Sequence, residues 1–263
     1  MNLQLKGKKA FISGSTQGIG FSIAKQLLQE GASVVINGRN AEKTEEAKRK
    51  LKQEFPEADV LGIVADFAKK EDLNKLLEEL EDIDILINNV GVFGISDFYE
   101  LKDEDWYHYF EINVMSGMRL SRKLLPAMIK KNSGRIIFIS SESGVNVPEN
   151  MIHYGMTKAA MSALSNGLSK LTKGSAVTVN TILGGPTYSD GVAHTVKQIA
   201  EVQNLTVDQM KEIIIQTSNP HILLQRFINP EEIASLAVYL SSPLSLAVNG
   251  ASLRADSGVL KII

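Results

Sequence analysis

Short apolar runs alternate with amphipathic helical segments along this chain. Ala10-Phe11-Ile12 stops at a Ser-Gly pair, and apolar residues then recur at helical spacing up to Gly31, where a helix would end. The next apolar run, Val34-Val35-Ile36, is rich in β-branched residues. Strands that alternate with helices pair in parallel through crossover connections. The pattern therefore predicts an α/β fold, a doubly wound (Rossmann) parallel sheet with helices on both faces.

Repetition of this unit predicts about seven strands. Beyond the first two, apolar runs lie at 60–64, 83–87, 136–139 and 177–179, and Ser252-Leu253-Arg254 is a candidate for a short last strand. Two long helices are predicted at about 104–130 and 153–172. Because no Pro- or Gly-rich linker divides the chain, we expect residues 1–263 to form a single domain.

The segment from about 187 to 227 breaks the rhythm of short loops and carries its own helical patterns. It directly follows the end of a strand, where open α/β sheets bind ligands, so we expect a lid or substrate loop. The alternative is a peripheral helical pair that only covers the sheet.

Composition excludes several classes of function. The 263 residues include 28 Lys and Arg against 30 Asp and Glu, and a net charge of −2 gives no basic surface for nucleic acid or an anionic membrane. Without cysteine, the chain has no disulfides, thiolate nucleophiles or Cys-ligated zinc. The four histidines are scattered, so no metal site is predicted. No apolar run is long enough for a signal peptide or a membrane span, and a cytoplasmic location is expected.

A glycine-rich segment follows the first strand and precedes the first helix. It has a G-x3-G-x-G spacing and comprises Gly14, Ser15, Thr16, Gln17, Gly18, Ile19 and Gly20. Glycines let the backbone approach a pyrophosphate, whose charge is stabilised by the free N–H groups and the dipole of the helix N-terminus. The position between strand and helix strengthens an otherwise weak motif.

Four further motifs follow in order at the ends of later strands. They are Asp66-Phe67, Asn88-Asn89-Val90-Gly91, Ser141 and Tyr154-Gly155-Met156-Thr157-Lys158. Together with the glycine turn they resemble the short-chain dehydrogenase/reductase family over nearly the full length of the chain. The resemblance implies an enzyme that transfers hydride between a nicotinamide cofactor and a carbonyl or secondary alcohol of a small molecule. It also implies cofactor contacts from the glycine turn and from Asp66, Phe67, Asn89, Val90, Gly91, Tyr154, Lys158, Gly185 and Thr187.

Four residues match the catalytic positions of that family. Tyr154 and Lys158 are one helical turn apart, and we expect the ammonium to lower the phenol pKa. By resemblance, Tyr154 donates the proton, Lys158 also holds the nicotinamide ribose, and Ser141 orients the substrate oxygen. Ser140 is the competitor for that role, but strand alternation places it on the other face. Asn113 would support a water relay, unless it is a helix-kinking Asn bonded only to backbone.

Three positions refine or depart from the family pattern. Arg39, after the second strand where NAD-binding proteins favour an acid, predicts NADP(H) rather than NAD(H). Gly184 replaces the family's proline and is expected to loosen the turn after the sixth strand, and Val90 replaces an alanine.

We expect His153, at the start of its helix, to face solvent.

Two alternatives to a small-molecule reductase remain. A 3-oxoacyl-carrier-protein reductase has the same motifs, and a non-catalytic NADP(H)-binding sensor or scaffold would keep the fold alone. The resemblance also implies a homotetramer or homodimer. Apolar helix positions form either that interface or the core, namely Leu120, Leu124, Met128, Ala159, Ala160, Ala163 and Leu164.

Overall fold

One parallel sheet organises the protein, which we describe over residues 2–262 in a computed structural model. Its order is β3-β2-β1-β4-β5-β6-β7, and every neighbouring pair is parallel. The strands are β1 (Lys9–Ile12), β2 (Ser33–Gly38), β3 (Val60–Val64), β4 (Ile85–Asn88), β5 (Gly134–Ser141), β6 (Val177–Gly184) and β7 (Ser252–Ala255). The predicted doubly wound sheet of seven strands is confirmed.

Helices connect the strands and cover both faces of the sheet. They are α1 (Gly18–Gln29), α2 (Ala41–Glu54), α3 (Lys70–Glu79), α4 (Asp103–Phe110), α5 (Ser116–Lys130), α6 (Ile152–Lys170), α7 (Asp190–Val202), α8 (Val207–Ser218) and α9 (Pro230–Ser241). None of those within residues 2–262 is long and apolar enough to cross a bilayer.

Two apolar cores lie on opposite sides of the sheet. In β1, Ala10 and Ile12 pack with α1, α2 and α9, whereas Phe11 packs with α3, α5 and α6. Successive strand residues point to opposite faces, so one short strand contributes to both cores. Burial of each such Ile or Phe side chain contributes about 1.5–3 kcal/mol.

The helix predicted at 104–130 is interrupted. A π-helical turn at Glu111–Met115 separates α4 from α5. Within α5, Leu120, Leu124 and Met128 are buried in the core against the sheet, so these three positions are not an interface. The predicted segment 153–172 corresponds to α6.

The sheet also positions a binding crevice. Chain order reverses between β1 and β4, which lie side by side. Ligands of open α/β sheets bind at the carboxyl ends of the strands at such a point. The glycine turn follows β1 at this edge, and Asp66-Phe67, Asn88–Gly91 and Ser141 lie at the carboxyl ends of β3, β4 and β5.

Candidate active site

The glycine turn between β1 and α1 is packed against the turn that follows β4. Gly14 and Gly18 have φ angles of +61° and +60°. A Cβ on Gly14 would lie 2.9 Å from the Val90 Cα atom, and one on Gly20 would lie 2.5 Å from Asn89 Nδ2. Side chains at these positions would separate the two turns, so glycine is required here for close approach as well as for conformation.

Buried amide and hydroxyl groups hold the glycine turn in place. Asn37 Oδ1 accepts a hydrogen bond from the Gly14 N–H at 3.1 Å, and Asn89 Nδ2 donates to the Gly14 carbonyl at 2.8 Å. Ser13 Oγ accepts from the backbone N–H groups of Asn89 and Val90, both at 3.0 Å. The sequence analysis missed the roles of Ser13 and Asn37. Their polar side chains at the ends of buried strands were the available signal, because buried polar groups need partners.

Two predicted cofactor residues direct their side chains into the protein interior. Ser15 is fully buried, and its Oγ donates to the Ile12 carbonyl at 2.7 Å. Phe67 is buried in the core shared with α3. Any cofactor contact from these two residues would therefore come from their backbones. Asp66, beside Phe67, is half-buried, and its Oδ1 accepts from the Ala68 N–H at 3.0 Å.

The N-terminus of α1 presents backbone donors to an anion. Gln17 makes no side-chain cap with the described part of the chain, and the Gly18 N–H donates to Asp190 Oδ2 at 2.7 Å. A carboxylate of α7 thus accepts from the very end of the helix where the dipole favours negative charge.

The same contact brings the insertion to the glycine turn. A cavity of about 520 Å³ lies between them, lined by residues that include Thr16, Gln17, Gly18, Tyr188 and Asp190. Ser141, Tyr154 and Lys158 are not among its lining residues. The cavity therefore adjoins the glycine turn rather than the predicted catalytic side chains.

Two further predicted cofactor residues, Ile19 and Arg39, differ in exposure. Ile19 packs against the core beneath α1. Arg39 is exposed just after β2 and forms no ion pair with any residue in the 2–262 range. Its guanidinium is free to accept an anionic partner.

The predicted catalytic side chains converge at the end of β5. Ser141 is the last residue of that strand, and α6 carries Tyr154 and Lys158. The buried Lys158 Nζ lies 5.5 Å from the centre of the Tyr154 ring and donates to the Ile139 carbonyl at 2.9 Å. Ser140 Oγ instead donates to the Lys158 carbonyl, which leaves Ser141 as the hydroxyl on the catalytic side.

Burial controls the proton affinities of this group. It raises the pKa of Tyr154 well above its ordinary range, the Glu142 carboxylate raises it further, and the hydrogen bond with Ser141 opposes both effects. Burial also lowers the pKa of Lys158 to about 8, against the attraction of Glu142. The expected lowering of the phenol pKa by Lys158 is therefore wrong for this arrangement, because the cost of burying a phenolate dominates.

Asn113 lies in the π-helical turn and binds the loop after β4. Its Oδ1 accepts from the Val92 N–H at 2.8 Å, and its Nδ2 donates to the Val92 carbonyl at 3.0 Å and to Thr157 Oγ1 at 2.9 Å. A Cβ on Gly91 would lie 3.3 Å from Asn113 Oδ1 and 3.6 Å from Lys158 Nζ. The side chain thus places this loop beside the lysine, and its water-relay role stays a prediction.

The turn after β6 is held by β7. Gly184 ends the strand in register with Ser141 and Ala255, and the Gly185 N–H donates to the Ala255 carbonyl at 3.1 Å. Thr187 Oγ1 donates to the Gly185 carbonyl at 2.8 Å. The β7 contacts hold the backbone where the family has proline, and any loosening of the turn by Gly184 remains a prediction.

The prediction that His153 faces solvent is wrong. Its side chain is fully buried, its ring lies 4.3 Å from that of Tyr109, and neither ring nitrogen has a hydrogen-bond partner among the described residues. Burial lowers its pKa, and Asp105 opposes that effect. The helix begins at Ile152 and α4 packs over it, a tertiary contact that local sequence does not predict.

Histidine and acidic side chains do not assemble a metal site here. Among residues 2–262, no group of three or more potential ligands is close enough to hold an ion.

Comparisons with known proteins show which family the chain resembles. A family model described as short chain dehydrogenase matches residues 8–200. The chain is 41% identical to the uncharacterized oxidoreductase YvaG of Bacillus subtilis (strain 168) over the full length of both. It is 43% identical to the uncharacterized oxidoreductase YvrD of the same organism, over 99% of each chain. L-sorbose reductase from Gluconobacter frateurii, solved with NADPH and L-sorbose, superimposes with a TM-score of 0.94 at 31% identity over all of both chains.

Proposed function

The chain belongs to the short-chain dehydrogenase/reductase family, and we propose that it is an NADP(H)-dependent oxidoreductase acting on the carbonyl or secondary alcohol of a small molecule. The observation that carries this proposal is the convergence of Ser141, Tyr154 and Lys158 at the sheet edge that also holds the glycine turn. The similarity to an L-sorbose reductase solved with NADPH supports the cofactor and the reaction class.

The described residues fit a dinucleotide. Gly14 and Gly20 have no side chains that would cover the turn, and the Gly18 N–H already donates a hydrogen bond to the Asp190 carboxylate. These donors would hold the pyrophosphate, and the exposed Arg39 would bind the 2′-phosphate that distinguishes NADP(H) from NAD(H). When bound, the nicotinamide supplies or accepts the hydride.

The chain's own residues would manage the substrate oxygen. The raised pKa keeps Tyr154 protonated at neutral pH, so in the reducing direction its hydroxyl can donate a proton to the oxygen that gains charge. Ser141 would orient that oxygen with a second hydrogen bond. The Lys158 ammonium, over the phenol ring, would stabilise the phenolate that remains.

We keep three further features as parts of the proposal. Helices α7 and α8 act as the lid over the site, supported by the contact of Asp190 with the glycine turn. The protein forms a homotetramer or homodimer, to be tested by light scattering; among the open interface positions, Ala163 on α6 is exposed. A cytoplasmic location also stays a prediction.

A carbonyl panel tests the function. Purified protein is incubated with NADPH or NADH and with ketoses including L-sorbose, simple ketones, aldehydes and a 3-oxoacyl thioester, while cofactor absorbance is followed. We expect consumption of NADPH, in preference to NADH, with at least one small carbonyl compound. Turnover of the thioester alone would favour the 3-oxoacyl-carrier-protein reductase, and tight NADPH binding without turnover would favour the sensor.

A further inference from the structure

A carboxyl group that the proposed mechanism does not use lies against the catalytic serine. Glu142 follows Ser141 directly and is half-buried. Its Oε2 accepts a hydrogen bond from Ser141 Oγ, and its Oε1 accepts one from Ser143 Oγ at 3.2 Å.

The backbone around Glu142 is fixed against α6. The residue begins the short 3₁₀ turn Glu142–Gly144. A Cβ on Gly144 would lie 2.8 Å from the Lys158 carbonyl carbon, and one on Gly155 would lie 2.6 Å from the Ser143 carbonyl oxygen. Contacts this close hold the carboxyl group beside the helix that carries Tyr154 and Lys158.

The contacts of Ser141 limit what its hydroxyl can do. A serine hydroxyl has one proton and two acceptor lone pairs. In this structure the oxygen accepts from the Ser143 N–H at 3.1 Å and the proton is directed to Glu142, while Tyr154 is the remaining hydrogen-bond partner of the hydroxyl. An ionised Glu142 can only accept hydrogen bonds. It therefore keeps the Ser141 hydroxyl turned toward itself, and that hydroxyl cannot donate a hydrogen bond to the substrate oxygen.

A protonated Glu142 reverses this arrangement. Its own hydroxyl can donate to Ser141 Oγ, which frees the serine proton to point into the cleft. The substrate oxygen then receives two hydrogen bonds, one from Ser141 and one from Tyr154. Two donors aimed at a developing oxyanion stabilise it more than one.

Building on the proposed function, we propose that Glu142 is a positioning residue, which directs the Ser141 hydroxyl to the substrate oxygen when protonated and withdraws it when ionised. Carbonyl reduction would then depend on the protonation of a group that never touches the substrate.

The surroundings favour the protonated form of this carboxyl group more than water does. Burial raises the pKa of Glu142, while the hydrogen bonds from Ser141 and Ser143 oppose the rise. The titratable groups that face it are Tyr154 and Lys158 on α6. Burial lowers the pKa of that lysine to about 8.

The first experiment requires no substrate. The Glu142 carboxyl carbon is followed by NMR in ¹³C-glutamate-labelled protein from acid to pH 8 and is assigned by its loss in Glu142→Gln. We expect a midpoint above the ordinary glutamate value, and Ser141→Ala should raise it further by about one pH unit, because it removes a donor to the charged form. Ser143→Ala should raise the midpoint less, because the Ser143 hydroxyl makes a longer hydrogen bond to Glu142. An unmoved midpoint in Ser141→Ala would overturn the inference whether or not the protein turns over.

The second experiment measures kcat/KM against pH, with NADPH and the carbonyl compound of highest turnover in the panel. Wild-type kcat/KM should fall about tenfold per pH unit above the Glu142 midpoint, as for a single essential proton. Glu142→Gln should show no fall in that range, because its amide donates to Ser141 at every pH. Glu57→Gln, which removes an exposed carboxylate before β3, should keep the wild-type profile.

The outcomes separate the two proposals. Absence of turnover with every carbonyl compound contradicts the proposed function. The NMR titration then tests by itself whether Glu142 protonation is coupled to the Ser141 hydroxyl. Normal turnover with the same pH profile in wild type and Glu142→Gln contradicts the positioning role only.

Discussion

The two ends of the candidate site are held by different forces. At the glycine turn, uncharged amides and backbone contacts fix the geometry, as in the approach of Gly14 to Val90. At the end of β5, burial shifts the pKa values of Glu142, Tyr154 and Lys158, and the Glu142 carboxylate also acts on the other two. Shape therefore specifies the first end and electrostatics the second. A single added carbon should disable the turn, whereas the catalytic end should respond to loss of one proton or charge.

The largest effect is expected from Tyr154→Phe. It removes the hydroxyl proposed to transfer the proton to the substrate oxygen and keeps the ring, so kcat should fall by about 10²–10⁴-fold. NADPH affinity, measured by fluorescence titration, should change little. Tyr239→Phe on α9 is the matched control and should keep wild-type turnover. A Tyr154→Phe protein with wild-type kcat would contradict the proposed role of Tyr154 as proton donor.

A side chain at Gly20 should disrupt the glycine turn by steric clash. In Gly20→Ala the new Cβ would lie 2.5 Å from Asn89 Nδ2 and 2.7 Å from the Gly14 carbonyl oxygen. We expect a loss of about 1–3 kcal/mol in the free energy of unfolding, measured in urea, together with weak NADPH binding.

A second glycine provides the control for that variant. A Cβ on Gly167 in α6 would meet no atom within 4 Å, so Gly167→Ala should stabilise the protein by about 0.5–1 kcal/mol through helix propensity. Equal effects of the two substitutions would show that the turn is not selected for close packing.

Reversal of the charge at Arg39, just after β2, tests how the glycine-turn end of the site selects between NADPH and NADH. Arg39→Asp removes a cation that would face the 2′-phosphate and adds a carboxylate suited to the ribose hydroxyls. Loss of a charge-assisted hydrogen bond of about 1.5–3 kcal/mol predicts a ten- to hundredfold fall in NADPH affinity. Arg49→Asp, at an exposed position of α2, should leave the ratio of NADPH to NADH affinity unchanged, and the same ratio in Arg39→Asp would reject this role.

The smallest effect concerns a buried base next to the catalytic tyrosine. The lowered pKa keeps His153 neutral in the folded protein, whereas the unfolded chain takes up a proton near pH 6.5. The unfolded state therefore binds more protons, and the free energy of unfolding should fall as pH drops from about 7 to 5.

His153→Phe tests that contribution. The ring would keep its contact with Tyr109 and bury no unpaired nitrogen, so we expect equal or higher stability at pH 7 and a weaker loss toward pH 5. Urea unfolding at several pH values measures both. An unchanged pH dependence would assign the acid sensitivity to other groups.

The sequence predicted the sheet and the glycine turn well because both depend on local patterns. Apolar runs marked β1 to β6, the candidate Ser252-Leu253-Arg254 marked β7, and the turn motif lies where strand and helix meet. The burial of Ser15 and His153 was not predictable, because it depends on Asn37 from β2 and on the packing of α4 over α6. The sign of the Tyr154 pKa shift was missed for the same reason. Spacing showed that a lysine is near the phenol, but not how little water reaches it.

Transfer of a labelled hydride tests most directly that both ends of the site act on one substrate. The protein is supplied with NADPH deuterated on the reactive face of C4 and with the best carbonyl compound of the panel, and the alcohol product is analysed by mass spectrometry. We predict one deuterium at the former carbonyl carbon in each product molecule, and almost no product from Tyr154→Phe. Oxidation of NADPH without deuterium in the alcohol would contradict the account.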